Sequence, residues 1–271
     1  MARSVQGDLA LQLPLQVALL ATFGCASAPP AAPAHVDTTP VSHTDNAALE
    51  LAQRLVYSFG YDHLPQVAQL NFRYVFESGD EAVFTATHHW DLAGHRDRVV
   101  WRDPDGHRYD ALLDLQTGVA HGYVDEREAE GDLQDVLSSK AQQRFSVDTY
   151  YLALPMRLFD PESHLIHGGE GRLDGRTVEI LEVHPDAPRA PVLRLYVDPE
   201  GLRVHRSEVA IDGHPEQLRG ASWDAYRPVG PLLLAHEHRL DSRGHRMVLE
   251  EASALPSVDH QIMTPEPQAA R

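Results

Sequence analysis

Apolar residues follow two different periods along the chain, and each period predicts a different kind of element. From Asp45 to Gly60 they recur every three or four positions behind an aspartate that suits an N-cap, which predicts one amphipathic helix. From Val67 onward the spacing changes to every second residue, the spacing typical of strands. Between Leu70 and Phe76 this alternation places aromatic residues on one face and mostly polar residues on the other. The chain therefore begins with a helix and continues as a sheet.

Strand-like segments fill most of the remaining sequence. The helical period returns between Asp132 and Asp160, where we predict two short helices, the second ending at Pro155. Turn sequences such as Asp-Pro-Glu-Gly at 198–201 join successive strands, and short connections make neighbouring strands antiparallel. We predict a mainly β fold with α elements, a meander of about ten or eleven strands with a helix before it and a helical insert. A sheet of that length must curl or close.

The start of the chain has the layout of a bacterial secretion signal. Arg3 is followed by an apolar stretch over Leu9–Leu20 and by a small residue just before Cys25. This layout resembles a lipoprotein signal, which implies that Cys25 carries the lipid. We expect a signal peptide over 1–24 and a lipidated cysteine with a Pro/Ala-rich linker over 25–44. An ordinary cleaved signal, or a misassigned start before a cytoplasmic protein, is the alternative.

The residue after Cys25 indicates which membrane a lipoprotein would reach. Ala26 is not the aspartate associated with inner-membrane retention in some bacteria, so the lipoprotein resemblance implies an outer-membrane lipoprotein that faces the periplasm.

We expect one domain over 45–256, where the strand and helix patterns run without a break. Residues 257–271 carry Pro265 and Pro267, and we expect them to form a disordered tail.

Composition and charge narrow the classes of partner. The 271 residues are 42% hydrophobic, which is enough for a packed core. Lys and Arg number 23 against 40 Asp and Glu, and the net charge of −17 disfavours nucleic acid, whose phosphates are bound by clusters of Lys and Arg. A single cysteine excludes an internal disulfide and a thiolate zinc site. We expect a monomer without a cofactor.

Three stretches carry a family resemblance. The first is 151–160, the second is 169–181, and the third combines 195–202 with 223–236. In element order and in their apolar and turn positions they resemble the lipoprotein-localisation-factor superfamily (LolA/LolB-like), in particular its outer-membrane lipoprotein-sorting relatives. The resemblance implies a half-open antiparallel β-barrel whose concave face is covered by the N-terminal helix and the helical insert. It also implies an acyl chain or another lipid-like ligand held in that concave cavity.

An aromatic sheet face under amphipathic helices is a plausible wall for such a cavity. Apolar ligand surface buried against it contributes about 25 cal/mol per Å² to the free energy of binding. Ligand pockets are also common in the mouths of barrels. The alternative is that the same side chains only fill the core, in a structural or interaction lipoprotein without a ligand. The candidate ligand-binding residues are Phe72, Tyr74, Phe84, Trp90, Trp101, Leu113, Tyr151 and Leu154.

Motifs for catalysis are missing from the sequence. It contains neither a Gly-x-Ser-x-Gly elbow nor a His-Glu-x-x-His zinc helix, so we expect no catalytic residue and no enzyme. His236 and His238 project from one face of a predicted strand and could begin a metal site, which makes a metal-dependent hydrolase the third hypothesis. A chain with 17 histidines produces such pairs by composition, and we therefore expect no metal.

Overall fold

The structure is a computed structural model that describes most of the chain after the linker. The described residues are 45–159, 163–186, 192–211, 214–241 and 244–267. The expected signal peptide, Cys25 and the linker lie outside these residues. Among the residues described, none of the helices combines the length and the apolar composition needed to span a membrane.

Two α-helices and fifteen strands make up the described part of the chain. Short 3-10 helices, Tyr61–Gln66 and Leu154–Phe159, follow the first and second α-helix. In chain order the helices and strands are α1 (Asn46–Ser58), β1 (Gln69–Ser78), β2 (Glu81–Asp91), β3 (Arg96–Arg102), β4 (Arg108–Asp114), β5 (Ala120–Val124), β6 (Arg127–Glu128), α2 (Asp132–Ala153), β7 (Ser163–Leu173), β8 (Arg176–Pro185), β9 (Leu193–Val197), β10 (Val204–Ile211), β11 (His214–Ser222), β12 (Arg227–Val229), β13 (Leu232–Leu234), β14 (Glu237–Arg239) and β15 (His245–Leu255).

The first helix begins and ends where the sequence predicts. The side chain of Asp45 accepts a hydrogen bond from the Ala48 N–H at 2.6 Å and so caps α1. Gly60 ends the helical run with a φ of 76°, and a Cβ at this position would lie 2.1 Å from the carbonyl oxygen of Pro231. Glycine is therefore required by both the left-handed backbone and the close approach.

The strands form a half-open antiparallel arrangement. The first sheet has eight strands in the order β14-β15-β1-β2-β3-β4-β5-β6, and the second has five in the order β11-β10-β9-β8-β7. Bridges from Ala221 to Leu240 and from Asp224 to Glu237 join the two sheets. In the described part of the chain β6 and β7 stand at the outer edges, and α2 connects them in sequence. The predicted mainly β, unclosed fold with a helical insert is confirmed.

The strand order corrects the predicted meander. β1 pairs with β2 and also with the last strand, β15, so that Phe72 lies between His88 and Ala252. Alternation along a strand is a local property and does not encode which distant strand will pair with it. The described strands also outnumber the predicted ten or eleven, because the structure contains the short strands β6, β12, β13 and β14, of two or three residues each.

The helical insert is one 22-residue helix where the sequence predicts two short ones. The apolar period is interrupted at Asp148, which is polar yet only 1% exposed. Its carboxylate is paired inside the protein, so a polar residue occupies a core-facing position and the helix continues through it.

Two hydrophobic clusters fill the space between the sheets and the helices. The α1 cluster contains the buried face of α1, the end of α2 and buried residues from both sheets. The α2 cluster is smaller and packs Leu137 and Ala141 of α2 against β2, β3, β4 and β5. Both helices thus lie against the sheet surface whose side chains are apolar.

The segment after β15 packs on the first sheet. Met263 is 4% exposed, and the Asp259 N–H donates to Oε1 of Gln69 at 2.6 Å. Arg98 donates to the carbonyl oxygen of Ile262 at 2.7 Å. Residues 259–263 are therefore packed on the sheet, whereas the prolines of the segment suggest a disordered tail. The sequence does not reveal this packing, because polar contacts to the main chain leave no periodic signal.

Candidate functional site

The predicted ligand-binding residues divide between the two clusters. The larger group belongs to the α1 cluster, and the remainder to the α2 cluster. In or against the α1 cluster lie Phe72, Tyr74, Trp90, Tyr151 and Leu154. In or against the α2 cluster lie Phe84, Trp101 and Leu113. The sequence therefore groups residues that the fold separates into two neighbouring patches.

Most of these side chains are packed against other side chains. Tyr74 is 1% exposed, and Phe72 and Leu154 are each 2% exposed. The ring of Phe72 meets that of Tyr74 edge to face at a centroid distance of 6.0 Å, and Trp101 stacks on Tyr109 at 4.6 Å. A wall of an open cavity wide enough for an acyl chain would expose more surface than this. A ligand at these residues has to displace the helices or their side chains.

A buried ion network joins α2 to the first sheet. His88 of β2 donates from Nδ1 to Asp97 of β3 at 2.8 Å and from Nε2 to Asp148 of α2 at 2.9 Å. Arg144 of α2 pairs with the other oxygen of Asp148. Since both ring nitrogens of His88 face carboxylates, both carry protons and the imidazole is charged. Burial opposes that charge, but Asp97 and Asp148 outweigh it and raise the pKa of His88 to about 9.

Sequence reasoning overlooks this network, although the alternation contains a signal for it. His88 follows Ala86 in the apolar phase of β2, and Asp97 precedes Val99 in the apolar phase of β3. A polar residue in an apolar phase predicts a buried polar group that needs a partner. The ring of Phe72 stacks on His88 at a centroid distance of 4.5 Å, so the network borders the α1 cluster.

A second polar contact holds α2 near the turn between β3 and β4. Lys140, the only lysine in the chain, donates to the hydroxyl of Tyr109 at 2.6 Å and to Asp103 at 3.0 Å. The Tyr109 hydroxyl in turn donates to Asp103 at 2.9 Å. Side-chain hydrogen bonds thus hold α2 at this second place as well.

His238 occupies the centre of an aromatic group. It is fully buried, and its ring lies at centroid distances of 4.6 Å from Trp223, 5.2 Å from Tyr151 and 6.2 Å from Tyr74. Burial lowers the pKa of His238 to about 3, so the ring is neutral. The imidazole behaves as one more flat side chain of the α1 cluster.

The predicted pair of metal-binding histidines lies in two different environments. His236 lines a groove of about 200 Å³ together with Glu77, Glu237 and Arg246, and its Nδ1 donates to the carbonyl oxygen of Leu249 at 2.8 Å. His238 instead lies among the aromatic rings of the core. In the regions that the structure describes, no three His, Cys, Asp or Glu residues are grouped so that they could hold a metal ion.

Comparisons with known proteins find similarity in structure and not in sequence. No family model matches the chain, and neither does any curated protein. The chain is similar to the structure of a LolA superfamily protein from Nitrosomonas europaea, with a TM-score of 0.47 and 12% identity over 79% of this chain and 97% of that one. It is also similar to a DUF1329 family protein from Desulfovibrio piger, with a TM-score of 0.43 and 13% identity over 82% of this chain and 100% of that one. For a putative outer membrane lipoprotein-sorting protein domain from Vibrio parahaemolyticus the TM-score is 0.42, with 10% identity over 79% of this chain and 95% of that one.

Proposed function

We propose that this protein is a non-enzymatic lipoprotein of the bacterial envelope that holds an acyl chain or another lipid-like ligand between its sheets and helices. The observation that carries the proposal is the way in which α2 covers the sheet. From Asp132 to Val147 only Leu137 and Ala141 are fully buried apolar residues, while Lys140 and Arg144 make ion pairs. Polar contacts thus contribute to holding this part of the cover, while the end of α2 stays packed in the α1 cluster, and polar contacts can be exchanged for water when the cover moves.

The energies of burial and of ion pairing indicate which ligands can displace this cover. Breaking a buried ion pair costs about 3–5 kcal/mol, and immobilising a ligand costs at least about 4 kcal/mol. Each buried methylene contributes about 0.8 kcal/mol, so about twelve of them contribute about 10 kcal/mol. Long acyl chains are therefore favoured over short ones.

The start of the sequence supports a membrane-attached protein. A lipid on Cys25 would anchor the chain, and about 20 linker residues could reach at most about 70 Å before Asp45 begins the domain. We infer that the domain works in the periplasm beside the outer membrane. A tethered protein acts near its anchor, which suits a receptor for lipid or lipoprotein cargo better than a shuttle.

Native mass spectrometry of the full chain purified from bacterial envelopes tests the proposal. We use the Cys25→Ser form so that a covalently attached lipid is not mistaken for a ligand. The expected result is a bound lipid-like mass that organic extraction removes, together with binding of an environment-sensitive fluorescent acyl probe. A chain that is free of lipid and does not bind the probe would contradict the proposal.

Such a result would favour a structural or interaction lipoprotein with a filled core. One observation favours that second function, namely the nearly complete burial of Phe72, Tyr74 and Leu154 against other side chains of the protein. The two functions differ in whether α2 has to move.

A further inference from the structure

Two polar atoms in the aromatic group around His238 lack hydrogen-bond partners. Tyr74 is 1% exposed and His238 is fully buried, yet within the described residues neither the Tyr74 hydroxyl nor Nε2 of His238 has a partner. An unpaired buried polar group costs about 1–3 kcal/mol, and folded proteins seldom retain one without a reason.

The neighbouring aromatic residues make the contrast clear. The indole N–H of Trp223 donates to the Ser207 hydroxyl at 3.0 Å, and the Tyr150 hydroxyl donates to the same oxygen at 3.2 Å. The Tyr226 hydroxyl donates to the carbonyl oxygen of Val204 at 2.7 Å. The fold satisfies these buried groups but leaves the Tyr74 hydroxyl and Nε2 of His238, on tilted neighbouring rings, without a partner in the described residues; the Tyr61 hydroxyl elsewhere in the α1 cluster is the other tyrosine hydroxyl in this state.

The hydrogen-bonding roles of the two unpaired atoms are fixed by their surroundings. Nδ1 of His238 lies 3.3 Å from the Ser222 carbonyl oxygen, which can only accept, so Nδ1 carries the proton and Nε2 presents a lone pair. Burial raises the pKa of Tyr74 well above its ordinary value, so its hydroxyl keeps its proton and can donate. The two rings, 6.2 Å apart, thus offer one donor and one acceptor and no charge.

We propose that Tyr74 and His238 form the subsite for the polar group of the ligand, and that this group is neutral and both accepts and donates a hydrogen bond, as a hydroxyl does. The inference rests on the proposed function, because the ligand has to enter the core to reach these residues. The oxygen of a hydroxyl accepts from the Tyr74 O–H, and its own O–H donates to Nε2 of His238, which satisfies both atoms. An ester or ether oxygen only accepts, a hydrocarbon does neither, and a carboxylate has no proton to donate and brings a charge into a neutral site.

Three ligands of equal chain length test the subsite. 1-Dodecanol, dodecyl methyl ether and dodecane are used to displace the fluorescent acyl probe from the full chain carrying Cys25→Ser. We expect the alcohol to bind about tenfold more tightly than the ether, the size of one satisfied hydrogen bond. Both His238→Phe and Tyr74→Phe keep a flat ring and should leave dodecane binding within about twofold. His238→Phe removes the acceptor that only the alcohol can use and should abolish the preference, whereas Tyr74→Phe removes the donor that both oxygens use and should weaken the alcohol and the ether alike.

Tyr226→Phe is the matched control, because the hydroxyl of Tyr226 already has a partner in the protein. This variant should retain the preference for the alcohol, and circular dichroism of all three variants checks that they are folded. Equal binding of the three ligands, which is also expected if a buried water pairs the two atoms, would overturn the subsite and leave the proposed function intact. A preference that persists in His238→Phe would overturn it too. Failure of every ligand and of the probe to bind would instead contradict the proposed function.

Discussion

Asp148 of α2 accepts a hydrogen bond from Nε2 of His88 on β2 at 2.9 Å, across 60 residues of sequence. The contact is buried on both sides, with 0% and 1% of the two side chains exposed. It joins the helical insert to the middle of the first sheet. The stability of the cover over the concave face therefore depends on a charged pair inside the protein.

Removing one partner of this pair should destabilise the protein strongly. Asp148→Ala leaves the His88 charge with one carboxylate in place of two, and we expect a loss of about 3–5 kcal/mol in the free energy of unfolding. Urea denaturation measures this. His107→Ala is the control, because His107 also meets an aspartate at 2.9 Å, yet both side chains are more than half exposed. An equal loss of stability in the two variants would show that the buried network stabilises the protein no more than an exposed ion pair does.

The charge on His88 predicts a pH dependence. Its pKa is raised from 6.5 to about 9 in the folded protein, so the stabilisation is complete below pH 6.5 and is lost as the pH rises towards 9. The free energy of unfolding should fall by about 3 kcal/mol over this range relative to a His88→Phe variant. Denaturation series at pH 6, 7.5 and 9 provide the test. Parallel curves for the two proteins would show that His88 is not charged in the folded state.

The titration of His238 should affect the stability of the protein in the opposite direction. Burial lowers the pKa of its imidazole from 6.5 to about 3 in the folded state, so the unfolded chain binds its proton first as the pH falls. The wild-type protein should lose stability relative to His238→Phe between pH 6.5 and pH 4. Thermal melting of both proteins across this range checks the prediction, which a constant difference in melting temperature would refute.

The unpaired hydroxyl of Tyr74 makes a further prediction about stability. Tyr74→Phe removes a buried donor that has no partner within the described residues, so the ligand-free variant should be at least as stable as the wild type. Tyr226→Phe removes a hydrogen bond to the Val204 carbonyl and should cost about 1 kcal/mol. Thermal melting distinguishes the two variants, and an equal loss in both would indicate that Tyr74 has a partner after all.

The proposed anchor makes a prediction in cells. Cys25→Ser removes the only thiol to which a lipid can be attached, so the chain should move from the membrane fraction to the soluble periplasmic fraction. Fractionation followed by immunoblotting measures the change, and Ser27→Ala, two residues away, is a control that should stay with the membrane. A membrane fraction that is unchanged in Cys25→Ser would refute the lipid anchor.

Local features of the fold are predictable from the sequence. The N-cap at Asp45 and the spacing of apolar residues predict α1, and alternation between Leu70 and Trp90 predicts the hairpin of β1 and β2. Each of these signals lies within about twenty residues of sequence.

Local signals of this kind do not predict the pairing of strands that lie far apart in the sequence. Leu70 lies opposite Ala254 in the pairing of β1 with β15, and nothing in either strand specifies the other. The candidate site is equally hard to predict from the sequence. Aromatic residues such as Phe72 and Tyr74 occur both in the walls of pockets and in filled cores. Only their burial distinguishes the two, and burial follows from the packing of α2.

The most direct test of the proposed function is whether ligand binding requires α2 to move. Ser138 of α2 lies next to β5, since its hydroxyl oxygen accepts a hydrogen bond from the Ala120 N–H at 2.8 Å. Ala120→Cys with Ser138→Cys, in the full chain carrying Cys25→Ser, should therefore form a disulfide that fixes the cover, which a non-reducing gel verifies. We expect the reduced protein to bind the fluorescent acyl probe and the oxidised protein to bind it at least about tenfold more weakly. Equal binding by the two forms would contradict a ligand held beneath α2.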